Sequence, residues 1–158
     1  MQASRTIAFT AALSALTVLF SLFTVPFLFG FRIHFFQVGI FLAGVVGGPV
    51  SGIVTGLVGG VYMATMRSDP TIVVGNGLLG LFTGIFSLRL RPAFAGLIAW
   101  FFIQAPWVYL TSTFIFHVPA VAMQLILMLL TVEDVISAVV ADVLSNHLRL
   151  REYVGLMK

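Results

Sequence analysis

The sequence predicts an all-α integral membrane protein, a compact bundle of about six transmembrane helices, forming a single membrane-embedded domain over residues 1–158. Three observations lead there. First, 60% of the residues are hydrophobic and only 8% are charged, where a soluble domain carries about 25% charged residues. Second, the chain divides into apolar runs separated by short polar or proline-containing links, and a spanning helix needs ~20 apolar residues. Third, glycines stand at 44, 48, 52, 56 and 60, one every four residues, with further glycines at 47 and 59. In water each interior glycine would cost a helix ~1 kcal/mol relative to alanine. In a bilayer the backbone must bond to itself, so the helix forms regardless. Small residues four apart then let a neighbouring helix approach closely.

The first span covers roughly residues 6–29. Its apolar run is too long for a signal-peptide core, so it reads as a retained span. Ala8 and Ala12, and Ala11 and Ala15, lie four apart and make a strip of small side chains on one helix face. A link over residues 30–37 carries Arg32, His34 and Gln37. The second span runs about 33–48 and the third about 50–66, meeting at a tight turn near 47–51. Pro49 lacks a donor and disfavours helix at Gly48. A polar loop at 67–70 leads to the fourth span, about 71–88, which holds Asn76 between two glycines. Arg89 and Arg91 close it. The fifth span, about 93–114, contains Gln104, Pro106, Trp107 and Tyr109. Residues 120–130 are apolar but short for a span. They fit a re-entrant or surface helix, or the start of the sixth span at about 132–148. That span opens with Glu133 and Asp134, and a basic tail, 149–158, follows.

Charge sets the expected orientation. Six spans put Arg5, Arg89, Arg91, Arg149, Arg151 and Lys158 on one side and Arg32 and Arg67 on the other. The positive-inside rule therefore places both termini in the cytoplasm of a multi-pass plasma-membrane protein. Most polar side chains then gather at the outer mouth. Ionisable groups near the apolar zone are functional candidates by default. Glu133 and Asp134 suit either the positive end of a helix or a cavity wall. Asn76 and Gln104 need partners, from a neighbouring backbone or from a ligand. Trp107 and Tyr109 also suit a membrane-interface belt. His34 and His117 are a weak metal signal, Arg67 and Asp69 read as a solvated loop pair, and no metal site is expected. Asp142 and Asn146 suit packing or capping.

No nucleophile elbow, Walker loop or zinc-helix motif is present, so the chain does not read as an enzyme. With no cysteine, disulfides and thiolate sites are excluded. The few charges imply no nucleic-acid partner, and no cofactor is implied.

The alanine strip Ala8–Ala15, the stretch Phe36-Gln-Val-Gly39 through Gly48-Pro-Val-Ser-Gly52, and the segment from Asn76 to Gly84 resemble the substrate-binding (S) components of energy-coupling factor (ECF) transporters. The resemblance covers nearly the whole chain. It implies a small helical protein that captures a vitamin-like micronutrient outside the cell. Such a protein docks with a transmembrane coupling (T) protein and two ATP-binding subunits, which supply the ATP-driven step. It implies partner contacts at Ala8, Ala11, Ala12 and Ala15. It implies substrate contacts at Arg32, His34, Gln37, Asn76, Gln104, Trp107, Tyr109, Glu133 and Asp134. Metal-transporting members carry a histidine after the initiator methionine. Gln2 stands there instead, and the aromatic mouth suits a planar heterocycle. The glycine-rich hairpin also looks like the five-span sensing modules of some membrane histidine kinases. Those work with a soluble output domain, whereas here only the tail 149–158 follows the last span. A structural membrane protein without a ligand is a further alternative.

Overall fold

The computed structural model describes residues 2–26 and 32–147. Its elements are α1 (Gln2–Leu22), β1 (Thr24–Pro26), β2 (Arg32–His34), α2 (Gln37–Arg67), α3 (Thr71–Phe86), α4 (Pro92–Ala99), a π-helical turn (Trp100–Gln104), α5 (Ala105–Phe114) and α6 (Ala120–His147).

Gly48 governs the first half of the molecule. Its φ of 80° and ψ of −173° are non-helical, a backbone region that costs a side-chain-bearing residue strain. Pro49 follows and cannot extend the preceding helix. The chain folds back on itself there. A Cβ built on Gly52 would sit 3.0 Å from the Gly44 Cα, although eight residues of straight helix would separate the two by ~12 Å. Residues 38–46, the first limb of α2, are all buried. They form the centre of the core, where Ile40, Phe41 and Val46 cluster with Leu79 and Trp100.

The second limb of α2 has two packing faces. One meets α3 backbone to backbone: a Cβ on Gly52 would lie 2.1 Å from the Gly80 carbonyl oxygen, and a Cβ on Gly80 equally close to that of Gly52. The other face meets α1 through hydroxyls. Thr10 Oγ1 lies 2.7 Å from Ser51 Oγ, and Ser14 Oγ lies 3.2 Å from Thr55 Oγ1. These two faces, at 52 and 56 and at 51 and 55, follow from the helical repeat. The opposite side of α1 leaves Ala8, Ala11, Ala12 and Ala15 exposed.

Several boundaries differ from the sequence reading. The first helix stops at Leu22 rather than near residue 29. Thr24–Pro26 instead pairs antiparallel with Arg32–His34 in the register Thr24↔His34, Val25↔Ile33, Pro26↔Arg32. β-branched Thr24 and Val25 favour the strand, and Pro26 is tolerated because the two-stranded ribbon is all edge. The next helix accordingly starts at Gln37, not 33. For residues 120–130 the structure takes one of the expected alternatives, continuation into the last helix: α6 runs unbroken from Ala120 to His147.

The reading of about six transmembrane helices is not met one for one. With 92–114 counted as one rod, the described residues form five helices, the second folded at Gly48. Three of them are long and apolar enough to cross a membrane: Ser4–Leu22, Gln37–Arg67 and Pro92–Phe114. The basic tail, with Arg149, Arg151 and Lys158, lies outside the described residues.

Candidate functional site

At the end of the molecule away from Gly48, the close of α2, the start of α3, the close of α5 and the first half of α6 surround a cavity of about 290 Å³. Each wall has a local origin.

On one side Glu133 is 2% exposed. It lies one turn past Leu129 and Leu130 on α6, which carries it into the core. Its Oε1 accepts a hydrogen bond from the His34 backbone N–H at 3.0 Å, and its Oε2 accepts from Gln37 Nε2 at 3.2 Å. His34 Nδ1 lies 3.4 Å from Oε1. The short β-hairpin thus has a purpose: it delivers the end of β2 to a buried carboxylate, and Gln37 follows as the first residue of α2. Two donors on one carboxylate compensate much of its desolvation.

The second wall joins α3 to the 92–114 rod. Asn76 donates from Nδ2 to the Ile72 carbonyl at 2.8 Å, and Gln104 donates from Nε2 to Asn76 Oδ1 at 3.3 Å. Gln104 ends the π-helical turn, where the Ala105 N–H reaches back to the Trp100 carbonyl. Pro106 offers no N–H to the Phe102 carbonyl, so the regular ladder is already interrupted there. The widened turn leaves both Trp100 and Gln104 buried while Phe101 and Phe102 face outward.

Trp107 forms the third wall. Its Nε1 donates to the Thr71 carbonyl at 3.0 Å. Its ring lies against Gly75, where a Cβ would come within 2.9 Å of Cδ1. One turn on, Thr111 donates to the Trp107 carbonyl at 2.9 Å. At the rim, Asp69 Oδ1 accepts from the Thr71 N–H at 2.9 Å and from the Thr71 hydroxyl.

Of the nine substrate contacts expected from sequence, the structure brings six to this cavity: His34, Gln37, Asn76, Gln104, Trp107 and Glu133. Three lie elsewhere. Arg32 is exposed on β2. Tyr109 is 49% exposed, on the outer face of α5. Asp134 is fully buried, but it does not line the cavity, and neither of its oxygens has a hydrogen-bond partner. One position along a helix is a rotation of ~100°, which is why the adjacent acids part. The cavity also includes residues the sequence reading did not assign to it. Arg67 and Asp69, read as a solvated loop pair, line the mouth, as do Phe36, Met63, Thr111 and Phe116. Helical spacing was the available signal for Thr111, which follows Gln104 and Trp107 at i+7 and i+4.

The arrangement is that of a helical membrane protein with an apolar cavity carrying a few convergent polar groups, the form of a small-molecule site. The family model for the 5TMR of 5TMR-LYT matches residues 2–145, and the chain belongs to that family. The solved S component of a bacterial ECF transporter matches at a TM-score of 0.60, covering 100% of both chains at 20% sequence identity, so the fold is the S-component fold. No curated protein matches the sequence.

Proposed function

We propose that this protein is the substrate-capture subunit of an ATP-driven ECF-type uptake transporter in the plasma membrane, binding a vitamin-sized planar heterocycle in the cavity between α2, α3, α5 and α6. One observation carries the reading. The cavity, with Glu133, Gln37, His34, Asn76, Gln104 and Trp107 in its walls, occupies one mouth of a fold that matches an S component over its full length. The remaining features support it. Arg5, Arg89 and Arg91 belong to the end opposite the cavity, which under the positive-inside rule makes the cavity extracellular and both termini cytoplasmic. The strip Ala8, Ala11, Ala12 and Ala15 is exposed and small, a surface on which a transmembrane coupling protein could pack closely. Two ATP-binding subunits would complete the assembly.

Ala8→Trp or Ala12→Trp is expected to abolish co-purification with the coupling subunit while leaving ligand affinity within about twofold, because the strip and the cavity share no residue. Loss of ligand binding with association intact would sink the assignment.

The family match favours a second reading, a membrane-embedded sensing module that uses the same cavity. The two separate on one measurement: a small molecule that native mass spectrometry finds bound to the purified protein is tested for ATP-dependent accumulation in vesicles holding the chain with its coupling subunits. A transporter subunit accumulates it, whereas a sensing module binds it without accumulation.

A further inference from the structure

The orientations of the three amides beside the cavity are dictated by their partners, and this determines which polar atoms are left over. The Glu133 carboxylate only accepts, so Gln37 turns Nε2 toward it and keeps Oε1 spare. The Ile72 carbonyl only accepts, so Asn76 turns Nδ2 to it and Oδ1 away. Gln104 must then donate Nε2 to that Oδ1, which leaves its own Oε1 spare. Neither Gln37 Oε1 nor Gln104 Oε1 has a hydrogen-bond partner, although both are buried. Both side chains line the cavity, as does Glu133. The wall residues therefore supply a carboxylate and two spare carbonyl oxygens that lie buried just behind the cavity surface, within reach of a small turn of either amide. Buried acceptors without donors carry a desolvation penalty that an incoming donor would relieve. Trp107 and Phe36 add aromatic surface in the same cavity, which favours a cation. Arg67 also lines the mouth, but it is exposed, so water and salt screen it.

We propose that the ligand is a small planar nitrogen base that presents an edge of N–H donors, an amino-substituted heterocycle or amidine-like cation, rather than a carbonyl-edged or carboxylate-bearing ring. This rests on the cavity being a ligand site and adds the polarity of what it selects.

Two nearly isosteric rings with opposite edges test it: 2,4-diaminopyrimidine and uracil, titrated against the full chain in nanodiscs with ligand-observed NMR. The parent protein is expected to bind 2,4-diaminopyrimidine at least about tenfold more tightly, one hydrogen bond to a charged or buried acceptor being worth that much. In Glu133→Gln the new amide donates, so Gln37 can turn over and leave Nε2 spare. The preference is expected to fall by about tenfold or invert. Gln104→Leu combined with Asn76→Leu removes the spare Gln104 acceptor without freeing Asn76 Oδ1 in its place, and should weaken 2,4-diaminopyrimidine without favouring uracil. Thermal melting confirms that each variant is folded, and if one is not, the other carries the comparison. If uracil binds the parent as tightly or more tightly, the donor-edge proposal is overturned while the cavity stands as a ligand site. If neither ring binds the parent, the ligand reading falls and the proposal falls with it. Unchanged preference in both folded variants also overturns it.

Discussion

Glu133 and Asp134 are adjacent, both acidic and both buried, yet they do opposite things to the protein. Glu133 receives the His34 backbone N–H and the Gln37 amide. Asp134 receives nothing within hydrogen-bonding reach. Removing a shared acceptor strands its donors, at about 1–3 kcal/mol for an unsatisfied buried group. Glu133→Leu is therefore expected to lower the melting temperature of the purified protein by several degrees. Asp134→Asn keeps the shape and replaces a carboxyl group that has no partner to lose, so its melting temperature should equal or exceed that of the parent. If the order of the two variants were reversed, the hydrogen-bond account of this turn of α6 would be wrong. The carboxylate pair itself stood out in the sequence. Which of the two faces the hairpin did not, because that depends on where β2 returns the chain. Arg67 and Asp69 were obscure for a related reason. Their charge suggested a solvated loop, whereas the convergence of α2, α3 and α5 makes them the rim of a cavity.

At the scale of the element, two glycines of one ladder have different reasons to be glycine. Gly48 has open space around its missing Cβ but a φ of 80°. Gly52 is helical, and a Cβ there would come 2.1 Å from the Gly80 carbonyl oxygen. Gly48→Ala should cost about 1–3 kcal/mol, the strain of an alanine held at positive φ with extended ψ. Gly52→Ala forces two backbones apart and should cost more than about 3 kcal/mol, or prevent folding. Equal losses in a denaturation series would contradict the backbone-contact account. The turn itself was legible, because a Gly-Pro pair inside a glycine repeat has few other uses in a membrane. The β-hairpin was not. Thr24, Val25 and Pro26 continue an apolar run, and three apolar residues look alike in a strand or at the end of a span. The continuity of α6 was legible only as one alternative, since residues 120–130 lack the length to declare themselves a span but carry nothing that would stop a helix.

The whole molecule has two chemically distinct ends. One holds the cavity and the Arg67–Asp69 rim. The other holds the Gly48 turn and the Arg89–Pro92 loop, beside Asp142 and Asn146. The chain contains no cysteine, so single thiols report sidedness without background. In intact cells, a membrane-impermeant maleimide is expected to label Ser68→Cys, at the cavity end, and to spare Leu88→Cys until the membrane is broken; both positions are exposed. Labelling of Leu88→Cys alone would invert the proposed orientation.

The contact between Gly52 and Gly80 has a mechanical side. Most helix pairs meet through a layer of side chains whose rotations absorb small displacements. Here carbonyl faces backbone, and the next contact, Gly84 against Pro49, is of the same kind. Close-packed matter of this sort transmits strain rather than damping it. α3 begins at Thr71 beside the cavity and runs for 16 residues, ~24 Å, to end beside the Gly48 turn. It is therefore built as a stiff lever, with little side-chain padding to absorb a displacement imposed at the mouth before it reaches the far end of the bundle.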